Sequence, residues 1–164
     1  ALLLTEAVFT TLMSYGYSAY QAVIRHEVNA DVERVVEGTV LISGVGFESG
    51  GLSLAHALVR GLTAIPAITS MLHGELVAFG TLVQMSVEER PDAEILEVAQ
   101  LLNDVNLPIT LAGLGQTSPF TEQELKIVVE ATLGAAYAKN MAPALTAERL
   151  MRGLARANAL GQKF

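Results

Sequence analysis

Apolar residues return at helical spacing along the whole of this chain, and no stretch alternates in the two-residue rhythm of a strand. Leu2, Leu3, Ala7 and Phe9 to Met13 mark a first helix, and Tyr17–His26 a second beyond Gly16. Asn29 or Asp31 can cap a third, carrying Val32, Val35, Val36, Val40 and Leu41. Ser49 can cap a fourth that runs through His56 to about Arg60, and Gly61–Ser70, with Pro66 inside it, reads as a loop. A fifth helix spans about Leu72 to Val87. Pro91-Asp92 opens a sixth, with Ile95, Val98, Ala99, Leu102 and Val105 on one face. After turn material at Leu107-Pro108 and over 113–119, Thr121-x-x-Glu124 forms a capping box ahead of Leu125, Val128, Val129 and Leu133. Thr146 caps the last helix, which Gly161 ends. The pattern predicts an all-α fold, a bundle of about eight helices. With no repeat, low-complexity run or linker, residues 1–164 read as a single domain.

The apolar fraction is 51% and the mean hydropathy +0.43, yet no apolar run reaches the roughly 20 residues that cross a bilayer. The surplus apolar surface is therefore expected to meet another domain or subunit, which points to a homo-oligomer. A net charge of −7 and an isoelectric point near 4.9 argue against nucleic acid, which needs a Lys/Arg surplus. No basic cluster marks an anionic membrane surface either. The absence of cysteine excludes disulfides and thiolate metal sites and fits a reducing cytoplasm. The opening residues lack a basic segment and Glu6 interrupts them, so they do not read as a signal peptide. Because a helical pattern already runs at Leu2, the chain is expected to continue upstream.

Gly44-Val45-Gly46-Phe47-Glu48-Ser49 has the look of a dinucleotide loop but fails as one. Position 49 is Ser, a helix precedes the segment, and no βαβ unit surrounds it. A helix end with a sharp glycine turn explains the backbone, though not the presence of Phe47 and Glu48. No nucleophile elbow accompanies the serines, and Glu88-Glu89 and Glu122/Glu124 read as solvated helix faces.

The three histidines differ in setting. His26, beside Arg25 and Glu27 at a helix end, reads as a solvated residue complementing the helix dipole. His56 sits in Leu52-Ser53-Leu54-Ala55-His56-Ala57-Leu58-Val59, and His73 in Met71-Leu72-His73-Gly74-Glu75. A loop joins the helices that carry them, so the two could face each other across an antiparallel pair and share a metal. On spacing alone a hydrogen-bonded core pair is the ordinary alternative, since catalytic zinc takes three protein ligands and an open position. Glu48 and Glu75 are candidates for a third ligand, although acidic residues at helix starts usually serve the dipole.

The run Ser43-Gly44-Val45-Gly46-Phe47-Glu48-Ser49-Gly50-Gly51-Leu52, with Ala55-His56-Ala57 and His73-Gly74-Glu75-Leu76-Val77-Ala78-Phe79-Gly80-Thr81-Leu82, closely resembles the glycerol dehydrogenases. These belong to the iron-containing (type III) alcohol dehydrogenase group of the dehydroquinate-synthase-like superfamily. The resemblance extends through Leu107-Pro108-Ile109-Thr110 to Gly161-Gln162-Lys163-Phe164.

The resemblance implies that this chain is the C-terminal helical, metal-binding domain. An N-terminal α/β domain that binds NAD, and an aspartate ligand ahead of this region, lie outside it. His56 and His73 match the two histidine metal ligands and Phe47 a residue of the substrate pocket; no cofactor-binding residue falls in this chain. The implied metal is Zn²⁺ ahead of Fe²⁺, with one coordination position left for an alcohol oxygen. The implied reaction is NAD-linked oxidation of glycerol to dihydroxyacetone, with the chain inactive by itself. The further histidines frequent in the family are replaced here by Val59, Thr69 and Ser70, and Arg60 stands where a small polar residue is usual. Those changes leave another small diol or a hydroxy acid as an alternative substrate. A non-catalytic helical assembly domain is the alternative from a different class.

Overall fold

In the computed structural model, which describes residues 1–164, every regular segment is helical and no strand is present. The all-α expectation is met by eight α-helices with one π-helical and one 3₁₀ segment. The chain divides into two compact units, Ala1–Gly51 and Leu52–Phe164. No helix is long and apolar enough to cross a membrane.

The first unit holds α1 (Leu2–Ile24), α2 (Ala30–Glu37), a π-helical segment (Gly38–Ile42) and α3 (Ser43–Gly50). The break expected at Gly16 is absent: α1 runs through it. A helix-interior glycine costs only about 1 kcal/mol against alanine, which a helix of 23 residues can absorb. Asn29, one of the two cap candidates, is the cap of α2; its Oδ1 accepts from the N–H groups of Asp31 and Val32, both at 3.0 Å. The turn expected at Gly44 and Gly46 is also absent. The backbone stays right-handed helical through the π segment, a wider turn of the kind that bends helices without ending them. The chain turns at Gly51 instead, where φ is +72°, a value side-chain-bearing residues rarely adopt. Ser49 therefore lies inside α3 and caps nothing.

Small residues line the packing of this unit. Gly38 and Gly46 are buried, and a β-carbon on Gly46 would come within 3.1 Å of Thr5 Cγ2. Ala19 and Ala22 are its only buried apolar residues, while Leu2 (85% exposed), Val28 (79%) and Val40 (72%) face outward. The close-packed seam takes the small side chains and leaves the large ones on the surface.

The second unit holds α4 (Leu54–Leu62), α5 (His73–Val87), α6 (Asp92–Asp104), α7 (Glu122–Leu133), a 3₁₀ segment (Ala136–Asn140) and α8 (Ala147–Gly161). The capping box at Thr121 forms as expected, with reciprocal bonds of 3.2 and 2.8 Å to Glu124. Thr146 likewise caps α8. α5 is buried on nearly every side by Leu76, Ala78, Phe79, Leu82, Val83 and Val87, so it forms the centre of the unit. α4 packs on both α5 and α7, and α8 packs on α5. At the end of α5, Arg149 of α8 donates to the carbonyl of Val87, an acceptor that a helix terminus leaves open, and Arg156 donates to that of Ser86, which also accepts from the Glu89 N–H.

Candidate metal centre

The α4–α5 pair brings His56 and His73 together. A β-carbon on Gly80 of α5 would lie 2.6 Å from the carbonyl oxygen of Ala55, so only glycine lets α4 settle this close. Gly61 does the same toward α7, where a β-carbon would meet Val128 O at 2.5 Å. The start of α4 is held from α5 as well: the Ala55 N–H, one of the donors a helix N-terminus leaves unpaired, bonds Gln84 Oε1 at 3.0 Å. The residue before His56 is thus fixed both sterically and by a hydrogen bond. Between the helices, Ile65 and Ile68 are buried at 1% and 0% exposure and pin the connecting turns.

His73 is the first residue of α5. Glu75, at the third position of that helix, accepts from the Leu72 N–H at 2.7 Å and so fixes the start of the helix. The ring centroids of His56 and His73 are 5.5 Å apart, with the planes tilted by 50°. Two imidazoles on one tetrahedral zinc, with Zn–N bonds near 2 Å, would hold their centres about 5 Å apart. The spacing and the nitrogen donors therefore fit a shared divalent ion. His73 is exposed and His56 half-buried, so the pair lies at the surface of its unit. Burial, and then the neighbouring His73, push the His56 imidazole below its ordinary pKa of 6.5. That favours the neutral ring whose lone pair a metal needs.

No group of three or more His, Cys, Asp or Glu side chains gathers anywhere in the chain. Of the two residues considered for a third ligand, Glu75 is committed to its cap and Glu48 belongs to the first unit. His26 lies where expected, exposed at the end of α1, with φ at 58°. Phe47 is on α3 of the first unit and is 50% exposed. Gln84 was not foreseen: its role is a contact across 29 positions of sequence, and no local pattern marks it. A cavity of about 420 Å³ elsewhere in the second unit includes Gln116, Phe120 and Asn158, and no ionisable side chain lines it.

No protein-family model matches the chain. Over its full length it is 43% identical to a glycerol dehydrogenase of Escherichia coli O6:H1 and 40% identical to one of Pseudomonas putida. It spans 45% of each, about half the length of the curated relatives it matches. The crystal structure of glycerol dehydrogenase from Schizosaccharomyces pombe superposes with a TM-score of 0.90 at 36% identity, over 98% of this chain and 42% of that one. The fold is that of the helical C-terminal domain of such dehydrogenases. The chain belongs to the glycerol dehydrogenase family.

Proposed function

We propose that residues 1–164 form the helical metal-binding domain of an NAD-linked glycerol dehydrogenase that oxidises glycerol to dihydroxyacetone. His56 and His73 supply two metal ligands, and Phe47 supplies part of the substrate pocket. The reading is carried by one observation, the 5.5 Å approach of two imidazoles from separate helices. The relatives' identity as glycerol dehydrogenases supports the choice of reaction. An N-terminal α/β portion outside this chain would bring the NAD site and a carboxylate ligand, and without them the chain is inactive.

A bound divalent metal, Zn²⁺ ahead of Fe²⁺, would supply Lewis-acid polarisation of the alcohol oxygen, and NAD would accept the hydride. The residues here serve binding and position. His56 stays neutral at physiological pH because burial disfavours its charged form. Glu75 fixes the helix start that presents His73, and Gln84 with Gly80 holds the start of α4 in register against α5. Positioning of this kind accounts for much of the rate of such reactions.

The exposed apolar residues of the first unit favour assembly into a homo-oligomer, and the cysteine-free composition fits the cytoplasm. The reading is tested in the protein joined to its N-terminal half. His56→Ala or His73→Ala should remove stoichiometric zinc and nearly all turnover while NAD binding persists. Near-native glycerol oxidation by a metal-stripped His56→Ala enzyme would overturn the metal-centred mechanism. Absence of any metal affinity in the joined wild-type protein would favour the assembly-domain alternative.

A further inference from the structure

Arg60 lies four residues after His56 on α4, and its side chain is exposed. Residues at this spacing share a helix face, with β-carbons about 5–6 Å apart. The face is the one turned from the core, because Leu54, Ala57, Leu58, Gly61 and Leu62 occupy the opposite side. Helical side chains lean toward the N-terminus of their helix, so a residue covers the turn before its own. The long Arg60 side chain can therefore extend toward the turn that carries His56.

Every other arginine is committed. Arg25 pairs with Glu27, Arg34 with Asp31, Arg90 with Glu94, Arg152 with Glu89 and Arg156 with Asp92. Arg149 donates to the carbonyls of Pro143, Ala144 and Val87. The Arg60 guanidinium has neither ion pair nor hydrogen bond; the Thr63 hydroxyl donates to the backbone carbonyl of Arg60 and leaves the side chain free. In a chain of net charge −7, acidic groups outnumber basic ones, so an arginine without a carboxylate has been kept clear of the abundant partner. Glu75, the acidic residue nearest in sequence to His73, is held by its own cap.

We propose that Arg60 recognises a substrate carboxylate, so that the site at His56 and His73 takes a small hydroxy acid. The acid's hydroxyl would lie at the histidines and its carboxylate on the guanidinium. A planar guanidinium matches a carboxylate with two parallel hydrogen bonds and gains much less from an uncharged polyol. This rests on the metal-centred reading above and adds a small hydroxy acid, beside glycerol, to the molecules that the site binds.

Glycerol and D-glycerate differ only in that one terminal carbon of the acid is a carboxylate, which makes them the probes. Their binding to the zinc-loaded, full-length protein is measured by calorimetry, with zinc content followed by elemental analysis. Glycerate should bind about tenfold tighter than glycerol or better, and Arg60→Gln should lower the glycerate-to-glycerol affinity ratio about tenfold. Arg60→Lys should recover part of the ratio, because it restores the charge without the fork. A ratio that moves less than twofold in Arg60→Gln, with zinc retained, overturns the inference and leaves the dehydrogenase reading standing. A ratio that falls in Arg60→Gln while His56→Ala has no effect and no zinc is held upholds the carboxylate site and removes the metal-centred reading.

Discussion

Neighbouring imidazoles that share a metal must both be neutral, and the position of His56 secures this for one of them. Its folded pKa is depressed first by burial and second by His73. In metal-free protein, an NMR titration should therefore find His56 protonating below the ordinary value of 6.5. The unfolded chain then binds more protons than the folded one just below the ordinary value of 6.5. Stability rises with pH through that window and is lost on acidification toward the folded value. A His56 midpoint at or above 6.5 would contradict the burial argument. Two of the three histidines could be set apart in the sequence by their apolar surroundings, and His26 by its charged ones. Their distance from each other could not, because it depends on how closely two backbones approach.

That approach is decided between elements, where glycine has two opposite meanings. Gly16, Gly44 and Gly46 look like helix breaks in the sequence but lie inside helices, and Gly46 seats Thr5. Gly80 and Gly61 likewise seat neighbouring helices, whereas Gly51 ends its helix at positive φ. A local pattern cannot separate a glycine that turns the chain from one that admits a partner. Caps are different, because their partners lie three residues away, and Thr121 and Thr146 behaved as their patterns required. Gly80→Ala should cost about 1–3 kcal/mol by overpacking. It should also weaken zinc binding, since the displaced backbone is that of Ala55, beside His56. Unaltered melting temperature and zinc affinity would show that α4 can move aside freely. Thr121→Ala should cost about 1 kcal/mol in denaturant titrations. Glu124 accepts from the Thr121 backbone N–H and hydroxyl, which hold its carboxyl below the ordinary 4.5. Its contribution is present above that value and fades as pH falls through the folded one.

The whole chain contains two units with different interiors. The second has a core of fully buried leucines, isoleucines and Phe79, whereas the first buries only Ala19 and Ala22 among its apolar residues. The apolar surplus evident from composition is thus concentrated in the first 51 residues, a distribution that overall percentages could not reveal. Sedimentation at micromolar concentration should detect self-association of the isolated chain, and Val40→Lys with Leu41→Lys should weaken it. A monomer before substitution would count against assembly through this surface. The alanine-and-glycine seam has a consequence for how the protein opens. Exclusion of water from the backbone, more than the regularity of a helix, slows the exchange of amide hydrogens with deuterium. The 23-residue α1 is the longest helix in the molecule, yet its amides should exchange well ahead of those of α5, a shorter helix encased in side chains. Protection that spreads through α1 at high protein concentration, and recedes on dilution, would identify association as what keeps this helix closed.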